Sequence, residues 1–182
     1  MSRWLLALTL WSMASRVHAV AIVDVIPSQS MVRIGQPFEV ELRGSLSRPV
    51  LGWGLDLSYT AGSLAPQDIP EIGPAWIRIN AADGDGLAGL AFPNPVFGVS
   101  LLLARIQFVA LAPGTFSFIA GLTEGDLAEG FPLTPAGFED DVRLGHATVV
   151  VVDESSTIEL VGVACSLLIG LRNLTYPTRR WS

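Results

Sequence analysis

The chain contains no lysine: all eleven of its basic residues are arginine, against seventeen acidic ones, for a formal net charge of -6 and a pI near 4.8. A basic groove able to track phosphates is excluded at the level of the whole chain, and with it nucleic acid as a partner. Charged residues of both signs make up only 15% of the sequence, too few for a disordered or polymer-coating chain. Cysteine occurs once, as Cys165, so no internal disulfide forms and no zinc-binding spacing exists. Histidine occurs twice, and no Gly-x-Ser-x-Gly elbow accompanies it. Helical periodicity is missing as well: between residues 20 and 152 no stretch of ten or more shows it. Eighteen glycines and twelve prolines punctuate the whole length, which excludes a helical bundle.

What is present begins with the two ends. Residues 1–19 open with Arg3, continue with an apolar run of eleven residues from Trp4 to Ala14, and close with Val17 and Ala19 at the −3 and −1 positions that signal peptidase reads. Eleven residues fall far short of a hydrocarbon core of ~30 Å, so the reading is a cleaved secretory signal rather than a span. At the other end, Asp153-Glu154-Ser155-Ser156-Thr157 precedes an apolar stretch, Ile158–Leu171, followed by Arg172, Arg179 and Arg180. An apolar stretch closed by arginines is a stop-transfer pattern, with the arginines left on the cytoplasmic side. The alternative is a short core or amphipathic helix. Asn173-Leu174-Thr175 fits a glycosylation acceptor but falls beyond the proposed anchor. Cys165, inside the apolar stretch, suits lipidation better than catalysis.

The order of acidic-Ser-Ser-Thr, short apolar helix and terminal arginines resembles the PEP-CTERM sorting signal of exported bacterial proteins. Glu154, Ser156 and Thr157 carry the resemblance together with the layout; the Asp153-Glu154-Ser155 triplet lacks both prolines of the family's Pro-Glu-Pro. The resemblance implies processing by an exosortase-type enzyme and attachment to the membrane, through the C-terminal hydrophobic helix, before processing.

Residues 20–152 form the body, long enough for one core of ordinary size. Six arginines stand there against fourteen carboxylates from Asp24 to Asp141. Alternation with period two recurs: Phe38, Val40 and Leu42 against Glu39, Glu41 and Arg43; Leu51, Trp53, Leu55, Leu57 and Tyr59 against Gly52, Gly54, Asp56 and Ser58; Leu102, Ala104, Ile106 and Phe108 against Leu103, Arg105 and Gln107. Phe116 and Phe118 continue the pattern. Half-buried strands need such alternation because successive side chains point to opposite sides of a sheet. Turn signals at Pro27-Ser28, Gly35-Gln36-Pro37, Pro93-Asn94-Pro95 and Pro113-Gly114 separate the runs. Eight or nine short strands predict an all-β, two-sheet antiparallel β-sandwich, a jelly roll or immunoglobulin-like form in outline, with residues 121–144 as a long acidic loop.

Several words of this body resemble the cohesin-like family of extracellular sandwiches: Val32-Arg33-Ile34-Gly35-Gln36-Pro37-Phe38-Glu39-Val40 as its opening hairpin, Gly52–Tyr59 as the following strand, Leu103–Thr115 as a later strand-and-turn unit, and Gly145–Val151 as the closing strand. Thr60-Ala61 stands where that family usually has Asp-Pro. The resemblance implies recognition of a protein or carbohydrate partner without identifying either.

Chemistry is sparse. His146, the one histidine outside the signal, sits in an alternating run and reads as a surface or edge-strand residue. Glycoside hydrolysis needs two carboxyl groups facing each other across a sugar; Glu39 and Glu41 read instead as a solvated strand face, and Glu124, Asp126, Glu129 and Glu139-Asp140-Asp141 as loop acids. Asp83 and Asp85, alternating with Gly84 and Gly86, are a candidate calcium turn or an ordinary Asp-Gly hairpin, and Asn94 rules out an EF-type loop. Trp53 shares its face with leucines and belongs in the core, whereas Trp76, after Pro74, is the better exposed candidate for stacking on a sugar ring, with burial as its alternative. The expectation is an exported, surface-anchored, non-enzymatic sandwich at the cell envelope, outer surface or extracellular matrix. It would bind a polysaccharide or a surface protein, with no cofactor except possible calcium. The rivals are a matrix component without a specific ligand and, further off, a carbohydrate-active enzyme.

Overall fold

The computed structural model describes residues 20–79, 87–126 and 128–153. Their order of elements is β1 (Ala21–Pro27), β2 (Met31–Arg33), β3 (Pro37–Val50), β4 (Gly52–Tyr59), β5 (Leu64–Pro66), β6 (Glu71–Ile72), β7 (Ile77–Arg78), β8 (Leu87–Leu90), β9 (Val96–Ala110), β10 (Gly114–Gly121), β11 (Val142–Leu144) and β12 (His146–Val152). Strands β11-β1-β3-β9-β5 form one sheet, with β6 also paired to β9, and β2-β12-β10-β4-β8-β7 form the other. The two inner faces bury a single core. The expected all-β sandwich is present, and no described residue is helical.

Each sheet is mixed rather than wholly antiparallel, because β1 pairs parallel with β11 and β2 parallel with β12. The closing stretch of chain changes sheets. Val142–Leu144 run beside β1, and His146–Val152 beside β10 and β2. The crossing is at Gly145, whose N–H donates to the Val23 carbonyl at 2.7 Å and whose own carbonyl accepts from Ala120 N–H at 3.2 Å. A Cβ there would lie 2.6 Å from the Val23 oxygen, so only glycine lets the strand slip between the sheets.

Two strands are long, β3 with fourteen residues and β9 with fifteen, and they pair along most of their length. Phe38, Val40, Leu42 and Leu46 of β3 point inward, as the alternation requires. On β9 the alternation breaks. Leu42 pairs with Ala104 and Arg43 with Leu102, so Leu103 is an extra residue at a bulge. Leu103 and Ala104 are therefore both buried, and Leu102 is not, a correction to the two-faced pattern read from the sequence. Gly44 makes this possible: a Cβ on it would sit 3.1 Å from the Leu103 side chain.

At the centre of the core, Phe108 from the first sheet meets Tyr59 and Phe118 from the second, with ring centroids 4.9 and 5.1 Å away, both edge-on. Phe38 stacks on Phe108 at 6.0 Å. The stretch expected as a loop, 121–144, is more than connection. Phe131 and Leu133 are buried in the core, Leu133 bridges Val50, and Gly130 exchanges two backbone hydrogen bonds of 2.9 Å with Gly54.

Candidate binding surface

The two outward faces of the sandwich differ in chemistry. On the first sheet, Glu39, Glu41 and Arg43 of β3 stand beside Arg105 and Gln107 of β9, with Glu71 of β6 at the edge. Arg105 donates to Glu41 at 2.8 Å and to Glu71 at 3.1 Å, and its Nε lies 3.5 Å from Glu39. Arg43 Nε donates to the other Glu41 oxygen at 2.7 Å and Arg43 Nη1 to the Ser100 carbonyl at 2.9 Å. Both oxygens of Glu41 are thus bound by guanidinium groups, first Arg105 and then Arg43, which hold its carboxyl below the usual range. A general acid needs the opposite displacement. Glu39 and Glu41 form a charge-paired face, and the open groove of about 160 Å³ beside them, lined by Glu39, Asp68, Ile69, Glu71, Arg105 and Gln107, has its arginine already engaged.

The second sheet presents the reverse. Inward Phe116, Phe118 and Ala120 on β10 leave Thr115, Ser117 and Ile119 facing out. The register sets these in rows: Met31, Val150 and Thr115; Thr148 and Ser117; His146, Ile119 and Ser58. All eight are exposed, Ile119 by half. The rows contain no carboxylate and no arginine, although the chain is acidic and the opposite face is crowded with charge. Arg33 closes one end, paired in register with Val152, and Asp56 closes the other, paired with Gly121.

Beyond Asp56 the segment after β10 folds back across the outer side of β4. Thr123 Oγ1 donates to Asp56 at 2.9 Å, and Thr123 N–H donates to Glu129. Ala128 N–H donates to Asp126 at 2.7 Å. Glu129 is the one buried charged side chain among the described residues. Burial pushes its carboxyl above the usual range, opposed by the Thr123 hydrogen bond and reinforced by Asp56 and Asp126.

Trp76 is not an exposed platform. It is 6% exposed, its indole Nε1–H donates to the Leu102 carbonyl at 3.0 Å, and its ring meets Trp53 edge-on at 6.4 Å. Gly89 leaves room for this pair, since a Cβ there would lie 2.6 Å from Trp53 Nε1. Proline at 74 suggested a loop, but Trp76 precedes the short strand β7 and turns inward. His146 is exposed on β12. Asp153 is exposed at the end of that strand. Residues 1–19 with the expected signal, Asp83 and Asp85, Glu154 and Ser155, the apolar stretch 158–171, and Arg172, Arg179 and Arg180 lie outside the described residues. Among the described residues no three metal-ligating side chains converge.

The open face is not legible in the sequence. Its signal is the half of the alternation opposite the phenylalanines, Thr115, Ser117 and Ile119, but which strands lie beside β10 is set only by long-range pairing. Glu129 reads in the sequence as a loop acid, and nothing local marks it as buried.

No protein-family model matches the sequence, and a search of the curated proteins found none similar to it. Solved structures do match. A cohesin module from the family 33 glycoside hydrolase of Clostridium perfringens superposes with a TM-score of 0.56 at 13% identity, covering 75% of this chain and 98% of that one. The fold is cohesin-like. A non-cellulosomal cohesin from the hyperthermophilic archaeon Archaeoglobus fulgidus matches this cohesin-like sandwich with a TM-score of 0.54 at 15% identity, over 79% of this chain and 97% of that one. A type I cohesin–dockerin complex from Clostridium thermocellum contains a further match, TM-score 0.50 at 10% identity, over 72% and 99%.

Proposed function

We propose that this chain is a non-catalytic protein-binding module, exported and held at the cell envelope, that receives its partner on the outer face of β2, β12, β10 and β4. One observation carries the reading. The three rows from Met31–Val150–Thr115 to His146–Ile119–Ser58 make a surface without carboxylate or arginine, mostly of hydroxyl and aliphatic side chains, in an otherwise acidic molecule. Such a surface is dehydrated at low cost, and its serines, threonines, valine and isoleucine lose little entropy on contact. The cohesin-like fold supports a protein partner, since a neighbour of this fold was solved with a dockerin. Carbohydrate binding has less behind it, because Trp76 is buried. Catalysis has less still, because Glu41 is held ionised between two arginines. Export, and retention by a tail processed by an exosortase-type enzyme, rest on the 1–19 and 153–182 patterns of the sequence.

The test is a photo-crosslinking amino acid placed at Ser117, and separately at Gln107, in the full chain expressed in its own cells. A protein adduct at position 117 that is absent at position 107 supports the reading, and Thr115→Arg, on the same face, should weaken that capture by roughly tenfold or more, the size of a hot-spot loss. Equal capture at both positions, or a glycan adduct in place of a protein, refutes it. A second arm fractionates cells expressing the chain with and without residues 153–182; the same fraction for both refutes the anchor.

A further inference from the structure

The covering segment beside the open face contains a carboxyl pair that the proposed function does not use. Glu129 is 8% exposed, and its carboxyl and that of Asp56 are bound by one residue, Thr123. Thr123 ties the two together, its N–H donating to Glu129 and its hydroxyl to Asp56. The ionisable groups that the covering segment and β4 supply all have the same sign. Asp56 comes from β4, Asp126 from the turn, and the remaining ionisable groups between β10 and β11 are Glu124, Glu139, Asp140 and Asp141; the strands flanking β4 in the sheet, β8 and β10, contribute no titratable side chain. Two adjacent carboxylates, one of them out of water, cannot both be ionised without large cost, whereas a single shared proton turns repulsion into a hydrogen bond.

We infer that Glu129 and Asp56 form a proton-dependent latch, closed when the pair shares a proton and opened when both groups are ionised, which holds the Thr123 turn and the Ala128–Gly130 stretch against the outer side of β4. The surrounding backbone suits a local opening. Gly125 and Gly130, on either side of Glu129, have φ of 89° and 103°, the left-handed region, where glycine moves at little cost. The docking on β4 consists of the two Gly54–Gly130 hydrogen bonds and the Thr123–Asp56 bond, while Phe131 and Leu133 anchor the segment in the core on the far side. Linkage gives the sign. The closed state binds the proton more tightly than the open one, so closure is strongest below the ordinary carboxylate range and is lost as pH rises through the raised value of Glu129. Opening exposes the side of β4 that adjoins Ser58, at the rim of the proposed binding face.

The experiment measures amide hydrogen exchange at Thr123 and Gly130 in the full-length chain at pH 5 and pH 8, with the intrinsic pH dependence of exchange divided out. The unaltered chain should lose protection at both amides by on the order of tenfold at pH 8, the factor for one proton linked through a single pH interval. Glu129→Gln, whose amide donates to Asp56 and whose oxygen accepts from Thr123, should keep its protection at both pH values. Asp56→Asn should lose less than the unaltered chain. Equal protection at pH 5 and pH 8 in the unaltered chain, or the same loss in Glu129→Gln, overturns the latch. Restoration of protection at pH 8 by millimolar calcium chloride, reversed by chelator, would assign the pair to a cation and also overturn it.

Discussion

Replacing Phe108 by alanine tests the central packing directly. Phe108 is fully buried, and its ring touches Phe38 from its own sheet and Tyr59 and Phe118 from the opposite one, at centroid distances between 4.9 and 6.0 Å. Removing a buried ring costs about 3–5 kcal/mol in lost transfer energy and residual cavity. The three ring pairs place this position at the upper end, since each adds about 0.5–1.5 kcal/mol beyond area. The hole also lies between two sheets whose spacing is set by the rest of the core, so collapse is restricted. The expected loss is about 4–5 kcal/mol, and for a body of this size that lowers Tm by roughly 15–20 °C. Phe108→Leu keeps most of the volume and should cost about 1–2 kcal/mol. Phe97 supplies the control on the same strand: it is 65% exposed, so Phe97→Ala should change stability by less than about 0.5 kcal/mol. Urea and thermal denaturation followed by circular dichroism give both numbers. If Phe108→Ala costs less than about 1.5 kcal/mol, or no more than Phe97→Ala, the sheets do not meet over this ring and the described core is wrong.

Three further outcomes follow from the same geometry. Gly54→Ala puts a Cβ against the Ala128 carbonyl and 2.9 Å from Glu129 Cα, so the Gly54–Gly130 bonds must break; protection at Gly130 should fall and stability drop by about 2 kcal/mol, whereas unchanged exchange there would show that the segment does not cover β4. Glu41, held below its ordinary value by Arg105 and then Arg43, stabilises the fold above the ordinary carboxylate range, and that contribution disappears as pH falls through the depressed value. Glu41→Gln should therefore cost about 1 kcal/mol at pH 7, allowing for screening, and flatten the fall of Tm between pH 5 and pH 3; an equally steep acid limb in the variant would refute the pairing. Trp76→Phe removes the donor to the Leu102 carbonyl and should cost about 1–2 kcal/mol in a denaturation experiment, a loss that an exposed sugar platform would not show.

The strands and their inward faces were written in the order of residues. Phe38, Val40 and Leu42, then Ile106 and Phe108, then Phe116 and Phe118 alternate with polar neighbours, and a period of two has one physical meaning, a surface with one side dry and one wet. The absence of lysine and the acidic excess likewise restricted the partner before any fold was known. Local pattern does not carry pairing. Nothing near Gly145 says that the closing strand passes from one sheet to the other, nothing near Leu103 announces the bulge that buries it, and Trp76 turns inward because Gly89, thirteen residues away, leaves space for it. The open face is a product of four strands brought together from distant parts of the sequence, and Thr123 joins Glu129 to Asp56 across a separation of more than sixty residues. Burial of a charge depends on which segments lie across it, and that is settled by the summed packing of the whole sandwich rather than by the residues beside it.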